Sequence, residues 1–185
     1  MRKLLKWGVS ALRVANGGRL KVSPGRPLYL GKGARIRVAG GASCEIGSGV
    51  YLSRGCLLQV NGGANLSVAS GVFFNENVRV VAQERVEISE GTLFGPNVCI
   101  YDHDHVFDVH GVHADPKSAP TSIGERCWIG VNALVTRGAS VAGRICVGGG
   151  VRRDSPVGGP GDLRWRTRKE GQVGASKASI IGRTM

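Results

Sequence analysis

Aliphatic side chains recur every six positions along much of this chain. Ile123, Ile129, Val135, Val141 and Val147 head the consecutive segments IGERCW, IGVNAL, VTRGAS, VAGRIC and VGGGVR. The same interval separates Ile88, Phe94 and Ile100, then Ile46, Leu52 and Leu58, and also Leu30 and Ile36. A helix repeats near 3.6 residues and a half-buried strand at two, so neither sustains this period. A short strand, a turn and another short strand, repeated, do sustain it, with one aliphatic per step facing a shared interior. Cys127, Ala133 and Ala139 each follow such an aliphatic by four positions, where a tight corner leaves room only for a small side chain. Each coil of such a chain buries its apolar row only against its neighbours, which predicts an all-β solenoid. With 30 glycines in 185 residues and only 5% aromatic residues, the composition fits repeated tight turns better than a core of large rings.

One domain with a tail is the expectation at this length. No apolar run is long enough to cross a bilayer as a helix, and no leader with a cleavage site is evident, so the reading is cytoplasmic. The five cysteines are scattered without a C-x-x-C pair and read as small buried side chains in a reducing compartment. Most of the formal charge of +12 sits towards the two ends, residues 1 to 35 and 144 to 185. No basic stripe interleaved with aromatics runs through the middle, so no nucleic-acid partner is expected. In MRKLLKWGVSALRVA, Arg2, Lys3, Lys6, Ser10 and Arg13 share one arc at helical spacing. Residues 1 to 27 are therefore read as an amphipathic helix and linker, the helix capping the solenoid or resting peripherally on an anionic membrane through residues 1 to 15. The solenoid is expected over 28 to 150.

Between Ile100 and Ile123 the six-residue phase breaks. CIYDHDHVFD, followed by VHGVHADPKSAP, places four histidines between residues 103 and 113 in a segment rich in Gly, Pro and Asp. This predicts a loop over 102 to 120, thrown out from a rigid scaffold, the usual setting for function.

The segment TSIGERCWIGVNALVTRGASV, with LFGPNVCIYDHDH upstream, resembles the hexapeptide-repeat acyltransferases, and within them the bacterial sugar and polysaccharide O-acetyltransferases. The resemblance covers roughly residues 28 to 141. It implies a left-handed parallel β-helix, a homotrimer, and acetyl transfer from acetyl-CoA to a hydroxyl of a sugar or glycan acceptor. The left hand is implied by the resemblance alone, since strand crossovers otherwise run right-handed. It also implies a histidine base just before the loop departs, where His105 matches best and His103 is the alternative.

The chemistry accounts for the residue type: a histidine with an ordinary pKa near ~6.5 can take the hydroxyl proton as the oxygen attacks the thioester, worth on the order of 10²- to 10⁴-fold. Asp102 and Asp104 are the local carboxylates that can orient it. His110 and His113 are read as solvated loop residues or as acceptor contacts. The resemblance places Trp128 and Gly130 of the WIG step along the coenzyme groove and Asn132 and Ala133 beside the acyl site; Arg137 is either a coenzyme-phosphate contact or solvated.

Three alternatives stand beside this reading: an N-acetyltransferase acting on an amino sugar, a non-catalytic scaffold, and a zinc enzyme. γ-Type carbonic anhydrases use the same helix but draw histidines from separated coils, whereas here all lie in one loop region, so no metal is expected. After Val147 the phase is lost, and residues 151 to 185 read as a basic, irregular, disordered tail. There the chain departs from the apolar closing segment of the resembled enzymes. A single-nucleotide shift of reading frame near residue 142, leaving an inactive polypeptide, would account for it; a lineage-specific basic tail is the other account.

Overall fold

The computed structural model describes residues 12–150 and the strand Arg152–Arg153. Every described element is a strand. The first coil comprises β1 (Leu12–Val14), β2 (Arg19–Val22) and β3 (Tyr29–Leu30), and the second β4 (Arg35–Val38), β5 (Ser43–Ile46) and β6 (Tyr51–Leu52). The third holds β7 (Leu57–Val60), β8 (Asn65–Val68) and β9 (Phe73–Phe74), and the fourth β10 (Arg79–Ala82), β11 (Arg85–Ile88) and β12 (Leu93–Phe94). The fifth opens with β13 (Cys99–Tyr101), is interrupted by β14 (His103–Asp108) and β15 (Gly111–Ser118), and resumes with β16 (Thr121–Ile123) and β17 (Trp128–Ile129). The sixth comprises β18 (Leu134–Val135), β19 (Ser140–Val141) and β20 (Cys146–Val147), and β21 (Arg152–Arg153) pairs above β18.

Stacked coils build three parallel sheets: face A from β1, β4, β7, β10, β13, β18 and β21; face B from β2, β5, β8, β11, β16 and β19; face C from β3, β6, β9, β12, β17 and β20. The protein is thus a parallel β-solenoid, as the aliphatic repeat predicts. It reaches back to Leu12, which pairs with Ile36, ahead of the expected boundary at residue 28. Leu12–Val14 is strand rather than the end of an amphipathic helix, because Leu12 and Val14 continue the inward row of face A. The rest of that helix, residues 1–11, lies outside the described residues, as does the expected tail beyond Arg153. At the other end the phase survives one step past Val147, with Arg153 in register on Val135.

The coils are not all hexapeptide triplets. On face A the register runs Leu12, Ile36, Leu58, Val80, Ile100, so the first coil takes 24 residues, the second and third 22 and the fourth 20. Val135 to Arg153 takes 18. Early faces A and B carry four-residue strands with the alternating burial of a pleated strand, whereas the sixth coil carries two-residue strands throughout. Two added residues insert one more inward side chain without changing which face points inward, so the prism narrows towards its C-terminal end.

Aliphatics fill the interior, with Ile36, Leu58, Val80, Ile100 and Val135 fully buried in one column. Each such side chain contributes roughly 1.5–3 kcal/mol by leaving water. Where the prism is broad, Phe74 and Phe94 stack inside it, 4.9 Å apart and nearly parallel. Cys44, Cys56 and Cys127 are buried free thiols, and burial pushes Cys44 up to about 12. At one corner Asn77, Asn97 and Asn132 hold left-handed φ of 57–58° and join side chain to side chain, Asn77 to Asn97 at 3.3 Å and Asn97 to Asn132 at 3.2 Å. Asparagine tolerates that conformation better than other non-glycine residues.

Candidate active site at the hairpin root

The break in phase after Ile100 is an antiparallel hairpin, β14 against β15, rather than an irregular loop. Its root follows from one substitution in the ladder. In successive coils a corner N–H donates upward to the carbonyl of the last inward residue of face A: Ala15 to Val38, Ala39 to Val60, Asn61 to Ala82. The next carbonyl in this series belongs to Asp102, and it instead accepts from Ala119 N–H at 2.9 Å, which closes the hairpin where the chain returns. The Asp102 carboxylate takes over the ladder. Its Oδ1 accepts from Gln83 N–H and its Oδ2 from the N–H groups of Glu84 and Arg85, each at 2.8 Å, and the residue is fully buried. A charge at that depth is tolerable because several donors meet it.

The two candidate bases leave the root on the same strand. His103 is half-buried, its Nδ1–H donating to Asp102 Oδ1 at 3.0 Å and its ring standing edge-on to Tyr101. His105 is exposed, and its Nδ1 lies 3.0 Å from the carbonyl oxygen of His113 on β15. A carbonyl only accepts, so Nδ1 carries the hydrogen in this contact, and in the neutral ring the lone pair is on Nε2. A bulge follows at once, between His105 and Phe107, turning the strand.

His113 is in turn held by Asp108, with Nε2–H donating to Oδ2 at 2.8 Å, while Asp108 Oδ1 accepts from His110 N–H and shapes the turn. His110 contributes its backbone N–H to that turn. Neither Asp108 nor His113 stood out in the sequence as a support for a base; an Asp five residues before a His carries no such signal until the turn folds.

Asp104, one of the carboxylates expected to orient the base, instead pairs with Arg137 Nε at 2.9 Å. Arg137 follows β18, so this pair ties the hairpin to the sixth coil. On the opposite side Ser118 Oγ–H donates to Glu84 Oε2 at 2.7 Å, tying it to the fourth. Beyond these ties the tip presents Phe107, Val109 and Val112 to solvent, Val109 at 94% exposure.

Trp128 faces outward from β17, between Leu93 and Cys146 on face C and 42% exposed. Gly130 allows close approach of coils, since a Cβ there would meet Gly149 N at 2.5 Å. Asn132 ends the asparagine series and Ala133 points into the core. Of the five residues expected along the coenzyme, Trp128 therefore offers an outward side chain with no polar or ionic tie among the described residues, and the other four are engaged in holding the coil or the hairpin. Among the described residues no three His, Cys, Asp or Glu side chains form a group that could hold a metal ion. No helix among them is long and apolar enough to cross a membrane.

No family model matches the chain, and no curated protein matches it. Among solved structures it is similar to an N-acyltransferase from Bacillus cereus in complex with dTDP and coenzyme A, at 11% identity and a TM-score of 0.38 over 80% of this chain and 75% of that one. A hexapeptide-repeat-containing acetyltransferase from Vibrio cholerae complexed with acetyl coenzyme A gives 15% identity and a TM-score of 0.36 over 74% and 65%. A polySia-specific acetyltransferase, NeuO, gives 11% identity and a TM-score of 0.33 over 88% and 92%.

Proposed function

We propose that the protein transfers an acetyl or other short acyl group from acyl-coenzyme A to a hydroxyl of a sugar or glycan, with His105 as general base. The observation that carries this reading is the contact of His105 Nδ1 with the His113 carbonyl, which leaves an exposed Nε2 ready to accept a proton at the root of the hairpin. The motif resemblance at CIYDHDH and TSIGERCWIG supports the choice of donor and acceptor. Nε2 takes the acceptor's hydroxyl proton as the oxygen bonds to the thioester carbonyl carbon. The tetrahedral oxyanion then collapses, the C–S bond breaks, and the departing thiolate takes the proton back from the imidazolium to leave as free coenzyme A. Trp128, with its outward ring, is the residue here suited to lie against the donor. The active form is a homotrimer, in which neighbouring copies complete the donor groove.

The test follows thiol release from acetyl-coenzyme A over a panel of sugar and glycan acceptors, with amino sugars included to separate O- from N-transfer. His105→Ala should lower kcat at least about a hundredfold with the circular dichroism spectrum unchanged. Thiol release with no acceptor in such a panel, or full activity in His105→Ala, refutes the proposal. A second reading, with His103 as base, is favoured by its contact with the Asp102 carboxylate. It predicts that His103→Ala is the more damaging change.

A further inference from the structure

We propose that the solenoid docks end-on, by its first two coils, on an anionic phospholipid bilayer. Residues 12 to 50 carry seven basic side chains and one acidic, Glu45, a net charge of +6. The remaining described residues, 51 to 150 with Arg152 and Arg153, carry nine basic and nine acidic, a net charge of zero. Among the described residues the solenoid is thus polarised along its axis, and its positive end is the end away from the hairpin. In sequence, residues 151 to 185 hold eight basic side chains, Arg152 and Arg153 included, and three acidic, and substitutions in that tail separate its contribution.

The bases ring the prism. Arg13, Arg35 and Arg37 point outward from face A, with Arg13 in register on Arg37, and Arg19 and Lys21 point outward from face B. Arg26 and Lys32 lie in the turns on either side of β3 on face C. All seven are exposed, and among the described residues Lys21 alone has an acidic partner, Glu45 at 3.7 Å. Of the seven bases between residues 51 and 150, by contrast, four have carboxylate partners: Arg54, Arg85, Arg137 and Arg144.

The distribution of charge identifies the partner. A linear polyanion, whether glycan or nucleic acid, lies along one face or groove and would need a stripe running parallel to the axis. A collar on three faces at one end is brought to its partner all at once only by a plane standing across the axis. The chain ahead of Leu12 reads MRKLLKWGVSA, three further bases among Leu4, Leu5 and Trp7, the composition of a segment attracted to the same surface. Docked this way, the hairpin root, four coils up at about 4.8 Å per coil, stands about 19 Å above the first coil. The proposed catalytic residues would then face acceptors held off the headgroups.

The test is co-sedimentation of the full chain with phosphatidylcholine vesicles with and without phosphatidylglycerol. The wild type should pellet only with phosphatidylglycerol present and be released by salt. Neutralising the face A set (R13Q, R35Q, R37Q), the face B set (R19Q, K21Q) or the face C set (R26Q, K32Q) should each weaken partitioning, by about fivefold per charge removed. The pair R126Q and R144Q, far along the axis, should leave it unchanged. These positions are exposed, and circular dichroism checks that each variant is folded; a set that fails to fold is replaced by its single substitutions. Equal pelleting with and without phosphatidylglycerol overturns the proposal. So does an effect confined to one face, or retention by a soluble polyanionic glycan without pelleting on vesicles, either of which would mark a linear partner. Loss of binding on neutralising Arg164, Arg166, Arg168 and Lys169 of the tail, with the collar variants pelleting as wild type, overturns it as well.

Discussion

Replacing Asp102 by Ala removes the acceptor for three backbone donors, Gln83, Glu84 and Arg85, each 2.8 Å from a carboxylate oxygen, and for His103 Nδ1–H at 3.0 Å. A hydrogen bond to a charged group is worth about 1.5–3 kcal/mol net, so three amides set a ceiling of roughly 4–9 kcal/mol. Because the corner is only partly covered, water recovers some of this, and a loss of about 3–5 kcal/mol is expected, a large share of the ~5–15 kcal/mol that holds a typical domain together. Asp102→Asn keeps one oxygen, which can serve the Glu84 and Arg85 pair, but sets an NH₂ against Gln83 N–H; its expected cost is about 2 kcal/mol. Urea unfolding followed by circular dichroism gives the order wild type, Asn, Ala. Amide hydrogen exchange adds a local readout, since protection at residues 83 to 85 should fall in the Ala variant even under fully folded conditions. A loss below about 1 kcal/mol for Asp102→Ala, or unchanged exchange at those amides, would show that the carboxylate does not replace the ladder carbonyl.

Three further outcomes are expected. The Cys44 thiol is pushed by burial, and then by Glu45, to about 12, and burial pushes Cys56 to about 11, both from 9.0. Raised folded-state values mean full stability below pH 9.0 and a loss from there up to about 12 for Cys44 and about 11 for Cys56, at about 1.4 kcal/mol per pH unit for each thiol within its window; a Cys44→Ala, Cys56→Ala double variant should show a flatter alkaline profile, and an unchanged slope contradicts this. Arg137→Met breaks the Asp104 tie, whose partners are 37% and 38% exposed, so it should cost no more than about 1 kcal/mol globally yet speed tryptic cleavage after Lys117 roughly threefold; cleavage at the wild-type rate would show the pair holds nothing. Gly124→Ala puts a Cβ 2.4 Å from Gly143 N and should cost at least about 1–3 kcal/mol, whereas Gly63→Ala meets no atom within 4 Å and pays only for its φ of +77°, about 1 kcal/mol; equal melting temperatures would refute the close approach.

The solenoid was legible because its core is written at fixed spacing, and the part misread is instructive. Ile46, Leu52 and Leu58 follow the six-residue step because they pass from face B through C to A, whereas Ile36, Cys44 and Leu52 cross the broad faces by eights. Two extra residues preserve inward alternation while cancelling the hexapeptide period, so the broad coils look like gaps in a narrow repeat. Leu12 and Val14 carried the same ambiguity, since a short segment with bases between aliphatics satisfies a helical arc and a strand equally well. At the site, the sequence marked the histidines and the departure of the hairpin. It did not show that Asp102 is spent on backbone amides or that Asp104 answers Arg137 across 33 residues, because such pairings depend on which coil lies next to which.

The narrowing of the prism and the position of the candidate base have one origin. A solenoid of constant width offers three flat faces whose backbone groups are satisfied from coil to coil, and a flat face cannot surround a reacting group. Face A has three inward positions in the fifth coil, Val98, Ile100 and Asp102, but two in the sixth, Ala133 and Val135. Above Asp102 the next coil has no inward residue in register, and the chain has turned into Thr136 and Arg137. At this edge, between faces A and B, the hairpin emerges. His103 and His105 stand at that edge, with the Asp102 bracket on one side and the Arg137–Asp104 tie to the sixth coil on the other. Keeping the sixth coil as wide as the third, with an aliphatic at 102 and its ladder carbonyl restored, would continue the prism past this edge with no hairpin root. The departure from strict repetition is therefore what sets the candidate base at this edge of the prism.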